Sequence, residues 1–188
     1  MKKLEIATGE APVLREVADP VSQIDLPLQT LIDEMIFTMR DANGVGLAAP
    51  QIKISKRLVV IETPPEHDDD GDPIPDSREL FVMINPEIKN ASRKTTDGIE
   101  GCLSLPGYVG EVSRSHAILV EYIDRRGKKQ RLRLKGWDAR IVQHEVDHLD
   151  GIMYTDKLTD PENFWTDEEY EKMLEEAAAE EEAEQSET

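Results

Sequence analysis

The sequence predicts an α+β fold, with antiparallel β-sheets around a central helix that carries an H-E-x-x-H segment, one helix before it and one after. Three observations predict it. A helical apolar rhythm runs from Leu28 to Met39, and four short runs rich in β-branched residues follow between positions 58 and 134. The segment Gln143-His144-Glu145-Val146-Asp147-His148 then falls in a stretch bounded by a capping residue and a glycine.

The first helix is read from Leu28, Leu31, Ile32, Met35, Ile36 and Met39, with Asp25 as its cap, Pro27 in the first turn and Asn43-Gly44 at the exit. Its apolar stripe belongs to the core. Leu58-Val59-Val60-Ile61, Phe81-Val82-Met83-Ile84, Ala117 to Tyr122 and Gln130 to Leu134 read as strands, the last two joined by the turn Asp124-Arg125-Arg126-Gly127. Short connections of this kind favour antiparallel pairing. Between the first two strands, Thr63 to Pro73 is too rich in Pro and acid to pack and reads as a surface loop. Asp138 is expected to cap the motif helix and Gly151 to end it. A last helix is expected from the capping box Thr166-Asp167-Glu168-Glu169, fraying after Ala179 into an acidic end. There is no internal repeat.

The motif helix carries the chemistry. Residues four apart share a helical face, so His144 and His148 can reach one metal ion with Glu145 beside them as a proton acceptor. Two imidazoles leave the ligand set incomplete. The one cysteine, Cys102, supplies the natural third ligand, with a fourth position left for water. Taken singly, a helical histidine is as often structural as ligating and a free cysteine is commonly a small buried hydrophobe; together they make a hydrolytic metal centre. His67 and His116 stand outside this constellation, as a loop and a strand residue.

Composition bounds the possibilities. A chain of 188 residues with 38% hydrophobic content fits one core. The formal charge of −18 is uneven: residues 160 to 188 hold 13 acids and one lysine, so the body carries only −6. That balance argues against DNA and other sequence-independent nucleic-acid binding, which needs clustered Lys and Arg. A lone cysteine rules out an intramolecular disulfide, and neither a signal-peptide run nor a membrane-length apolar stretch is present. The expected setting is the cytoplasm, away from membranes.

Three segments carry a resemblance. Gly44-Val45-Gly46-Leu47-Ala48-Ala49-Pro50-Gln51, then Glu100 to Pro106, then Gln143 to His148 resemble, in order and spacing, the three signature motifs of the peptide deformylase family. The resemblance covers about residues 1 to 157, which gives a catalytic domain over 1–157 and a C-terminal helix with an acidic, partly disordered tail over 158–188. It implies a metal-dependent hydrolase that removes the N-formyl group from the initiator methionine of nascent polypeptides and releases formate. Glu145 would be general base and acid. The side-chain amide of Gln51 and the backbone N–H of Leu103 would hold the oxyanion. Cys102, His144 and His148 would hold one divalent ion, Fe²⁺ physiologically, with Zn²⁺, Ni²⁺ or Co²⁺ as substitutes.

Substrate recognition follows from the same resemblance. The bare backbone at Gly46 would let a formyl group in and keep acetyl out, while Val45, Trp137 and Ile141 would form the methionine pocket. Trp137 and Ile141 are each equally well read as plain core. Later peptide residues would add as a strand through main-chain hydrogen bonds. Glu100 and Arg114 are expected to pair and steady the Cys102 loop, with a surface position for Arg114 as the other reading. The implied partners are N-formylmethionyl nascent peptides and, transiently, the ribosome.

Two other classes share some of these features. Zinc endopeptidases also carry H-E-x-x-H but take a third ligand downstream, whereas Cys102 lies upstream of His144. A non-catalytic ribosome-associated protein with a structural metal would not need Glu145.

Overall fold

The computed structural model describes residues 2–65, 68, 71–74 and 77–186, with side-chain surroundings as far as residue 180. The Asp25 side chain accepts a hydrogen bond from the Leu28 backbone N at 3.0 Å and opens α1 (Leu26–Asp41), whose buried stripe of Leu28, Ile32, Met35, Ile36 and Met39 is the one expected. Asn43 takes φ 54° after the helix, a conformation Asn tolerates better than most residues.

A five-stranded antiparallel sheet follows, in the order β1 (Gly46–Ala48), β2 (Leu58–Glu62), β3 (Leu80–Ala91), β6 (Ala117–Ile123), β7 (Lys129–Lys135). Alternation along β2 explains how this sheet organises the core. Leu58 and Val60 pack with the α1 stripe, while Val59 and Ile61 face the other way, onto Ile141, Val142 and Val146 of α2 (Gly136–Leu149). The run is apolar throughout because β2 is covered on both faces, each fully buried side chain contributing about 1.5–3 kcal/mol. The central helix thus lies on one face of the sheet and α1 on the other.

A second antiparallel sheet, β4 (Thr95–Cys102), β5 (Leu105–Ser115) and β8 (Phe164–Thr166), has no counterpart in the strands expected from sequence. The reason is visible in its inward residues. Glu100, Val112 and Arg114 are buried there, so charge replaces the apolar alternation that marks a strand, and Pro106, Gly107 and Gly110 read as turn residues. The chain past residue 157 stays on this sheet, through a Val112–Leu158 bridge and the pairing of β8 with β5.

Three expectations change. Asp138 is not the cap of α2: Gly136, at φ 57°, turns β7 straight into the helix, Lys135 is the N-cap, and Asp138 sits in the first turn, where its charge suits the helix dipole. His116 is not in a strand but at the bend between β5 and β6, its Nδ1 3.2 Å from Thr96 Oγ1. The last helix does open on the reciprocal Thr166–Glu169 capping bonds, yet α3 (Asp167–Ser186) runs on past Ala179, because its Ala- and Glu-rich sequence has high intrinsic helix propensity. Gly151, at φ 71°, follows α2 as expected. His67, with residues 66, 69 and 70 of the expected loop, lies outside the described residues. Among the described residues no helix is long and apolar enough to cross a membrane.

Candidate metal centre and active site

His144 and His148 project from the middle of α2, one turn apart, with ring centroids 4.9 Å from each other. Cys102 ends β4, where the pairing register with β5 breaks and the chain turns back within two residues, Cys102 standing opposite Leu105. This turn brings the thiol to the helix: one ligand atom from each of Cys102, His144 and His148 lies within 4.8 Å of the others, and Cys102 Sγ is 3.3 Å from His148 Nε2. The sulfur also accepts bonds from Ser104 N and Gln51 Nε2, each at 3.4 Å.

The donor set fits a borderline-soft divalent ion, being one thiol and two imidazoles. Burial works against a charge on His144, yet hydrogen bonds to Cys102 and Glu100 outweigh it and hold the imidazole up at about 10, so an ion has to displace a proton there. Burial, aided by the charges of His144 and Arg114, pushes His148 well down, toward the neutral form that ligates. Metal binding displaces protons from such groups.

Behind His144 stands a buried ion network. His144 Nδ1 is 2.9 Å from Glu100 Oε2. Glu100, 5% exposed, receives a two-pronged grip from Arg114 (2.9 and 2.7 Å) and a third bond from Arg140 Nη1 at 2.7 Å. Arg114 is 3% exposed, which excludes the surface reading, and also pairs with Asp147, which Lys157 holds from its other side at 2.7 Å. Burial alone would raise the Glu100 carboxyl, but Arg114 and His144 bring it down to about 2. An anionic partner on the far nitrogen of a ligating histidine fixes its tautomer and orientation.

Glu145 differs. It is 4% exposed, and its Oε2 is buried with no hydrogen-bond partner among the described residues. Burial, with Glu100 adding and His144 opposing, raises its pKa to about 7. A carboxylate left unpaired at neutral pH in a cavity is a group held for proton exchange.

That cavity, about 370 Å³, is lined by Gly46, Gln51, Cys102, Leu103, His144 and Glu145, together with Val45, Trp137 and Ile141. All the site residues expected from sequence therefore border one space or its ligand triad. Trp137 is 49% exposed whereas Ile141 is buried, so only the latter also belongs to the core. Besides its bond to Cys102, Gln51 is oriented by two more: its Oε1 accepts from Ala48 N at 2.8 Å, and its Nε2 donates to Ser104 Oγ at 3.2 Å. Gly44 gives room to Leu103, whose Cδ1 would lie 2.8 Å from a Cβ there. Gly46 is needed for a reason the sequence does not display: a Cβ would stand 2.2 Å from Glu145 Oε1, so the bare backbone accommodates the carboxylate before any substrate.

Ser104, Arg140, Asp147 and Lys157 have no role assigned from sequence. One signal was available, since Arg140 precedes His144 by four residues and shares its helical face. Asp147 meets Arg114, and Lys157 meets Asp147, only through tertiary packing.

Residues 3–164 match the polypeptide deformylase family model. The peptide deformylase of Symbiobacterium thermophilum is 46% identical over 186 residues, 98% of this chain and 81% of that protein. Among solved structures, peptide deformylase from Thermotoga maritima superposes with TM-score 0.75 at 38% identity, covering 85% of this chain and all of that one. A Met-Ala-Ser-bound peptide deformylase of class I type b from Acinetobacter baumannii gives 0.74 at 37% identity, covering 84% and 99%. Matched over most of its length in sequence and in fold, the chain belongs to the polypeptide deformylase family.

Proposed function

We propose that this deformylase-family chain removes the N-formyl group from the initiator methionine of nascent polypeptides by hydrolysis, with Glu145 as the proton carrier. The observation that carries the reading is the unpartnered, buried Glu145 Oε2 in the same cavity as the Cys102–His144–His148 triad. The family is metal-dependent, and these three residues would hold the ion. When bound, a divalent ion supplies Lewis acidity, bringing a water pKa from ~15.7 toward ~7. Glu145 accepts the proton of the attacking water and returns it to the departing nitrogen, so the C–N bond breaks to give formate and a free amino terminus rather than an amide anion. Gln51 Nε2 and the Leu103 N–H steady the oxyanion, one such donor being typically worth about 3 kcal/mol. Val45, Trp137 and Ile141 receive the methionine side chain.

Iron(II) is the ion we assign first, as resemblance to the family implies, with zinc, nickel or cobalt as substitutes that a thiolate and two imidazoles also accept. The peptide beyond methionine lies along the cavity as an added strand, consistent with the tripeptide bound by the Acinetobacter baumannii relative. We place the activity in the cytoplasm, where a lone thiol ligand stays reduced, and assign catalysis to residues 1–157. Ribosome contact is transient on this reading, since the chain offers net negative charge to a polyanion.

The test is formate release from formyl-Met-Ala-Ser by protein purified anaerobically with iron, beside acetyl-Met-Ala-Ser and casein. Formyl peptide alone should be cleaved. Equal turnover of acetyl peptide would point to a broader amidase, and casein cleavage to an endopeptidase.

A further inference from the structure

Strand β7 gathers cations in a chain that is otherwise acidic. Residues 125–135 hold seven Lys and Arg and no acid, whereas the whole chain has 22 such bases against 40 acids. Net charge therefore conceals a basic cluster, against the expectation drawn from composition. Alternation sorts β7 into two rows: Leu132 and Leu134 pack with the core under α2, and Lys129, Arg131, Arg133 and Lys135 stand exposed on the other face. On that face the core under α1 reaches Ile84 and Ile123, the latter opposite Lys129. Beyond it Leu119 and Ala117 lie half-buried opposite Arg133 and Lys135. Edge strands use charge to deter pairing with another sheet, but either sign serves that end, and here every charge in the row is positive.

Counter-charge is sparse. Glu87 is taken by Lys89 and Glu121 by Arg131 at 3.4 Å, while Lys129, Arg133 and Lys135 have no ion pair among the described residues. The turn after β3 adds Arg93 and Lys94, tied to the Lys135 end by bonds from His116 N to the Lys94 carbonyl at 2.9 Å and from Gly136 N to the His116 carbonyl at 2.8 Å. Alternate residues of a strand are ~6.6 Å apart, so the four cations form a straight comb about 20 Å long. Its two arginines can each grip a phosphate with two bonds. A membrane surface would ask for an apolar anchor, and none of the exposed large hydrophobic residues belongs to β6 or β7. Neither the row nor its β6 partners include an aromatic residue on which single-stranded bases could stack. The surface therefore suits the phosphate backbone of a duplex. Strand β1, which carries Gly46 of the cavity, is at the other edge of the sheet, roughly 19 Å away at ~4.8 Å per strand, so a duplex on β7 leaves Gly46 clear.

We propose that the exposed face of β7 is a docking surface for the phosphate backbone of double-stranded RNA, held by Lys129, Arg131, Arg133 and Lys135. The choice of RNA over DNA rests on the deformylase reading above, since nascent chains emerge beside folded RNA. The experiment follows the fluorescence anisotropy of a labelled RNA duplex of about 20 base pairs titrated with the full chain. Neutralising about three or four phosphates should make affinity fall about 40- to 150-fold between ~50 and ~200 mM salt. The pairs Lys129→Gln/Arg131→Gln and Arg133→Gln/Lys135→Gln should each weaken binding at least about tenfold at low salt and flatten the log–log salt slope by about 2. Lys3→Gln/Lys53→Gln, an equal charge change away from the row, should keep the parent slope. Circular dichroism checks that each variant is folded. Absence of binding at ~50 mM salt, or binding that both row pairs leave intact, overturns the proposal. So does preferential capture by phosphatidylserine vesicles, which marks a membrane surface, or salt-sensitive self-association that the row pairs abolish, which seats the acidic α3 of a second copy there. Missing formate release beside intact RNA binding would instead sink the deformylase reading.

Discussion

Replacing Gly46 by alanine tests how the catalytic carboxylate is held. The new Cβ would lie 2.2 Å from Glu145 Oε1, 2.7 Å from its Cδ and 2.9 Å from its Cγ. Ordinary contact for such atoms is about 3.5 Å, so the carboxylate has to retreat by about 1 Å. It cannot swing out to water, being 4% exposed between β1 and the triad. A misplacement of about 1 Å in a reacting group costs roughly 10²-fold in rate, or about 2.7 kcal/mol at 1.36 kcal/mol per decade. The φ of Gly46 is not positive, so alanine brings no backbone strain, and the stability cost should stay within about 1–3 kcal/mol for overpacking. The assay is steady-state formate release from formyl-Met-Ala-Ser, with metal content by elemental analysis. The expected result is a fall in kcat of about 10²-fold with full metal and little change in KM. If Gly46 served chiefly to admit substrate, KM would rise instead. A kcat within about twofold of the parent would refute the reasoning outright.

Glu145→Gln should keep the metal and the fold while kcat falls by several orders of magnitude, as formate release beside elemental analysis would show. Cys102→Ala should lower metal occupancy, because two imidazoles make a poor ligand set; full occupancy would contradict the assignment. Arg114→Met breaks the buried pairs to Glu100 and Asp147 and leaves Arg140 and Lys157 as their remaining fixed cations, at a cost of about 3–5 kcal/mol, or a Tm lower by about 6–20 °C in thermal denaturation. Removing residues 180–188 should leave turnover of short formyl peptides within about twofold, since surface changes away from the core usually cost under ~0.5 kcal/mol. The same deletion should leave co-sedimentation with ribosomes unchanged or stronger at low salt, and a loss of binding would show the acidic end to be a docking element.

Local sequence determined what depends on near neighbours. The spacing of His144 and His148 places them on one face of α2 by helical periodicity alone, and the apolar rhythm from Leu28 to Met39 places α1 in the core. The capping pairs at Asp25 and Thr166 act within three residues of themselves. Cys102 was legible as a ligand by its residue type. Tertiary structure alone decided the rest. Strands β4 and β5 escape notice because their buried face holds Glu100 and Arg114, whose charges satisfy each other across the hairpin and against Asp147 and Arg140 from α2. Such burial is permitted only by partners distant in sequence, so no local pattern announces it. The need for glycine at position 46 is of the same kind. It is set by the 2.2 Å between an absent Cβ and a carboxylate 99 residues away, and that separation exists only after β1 and α2 have packed.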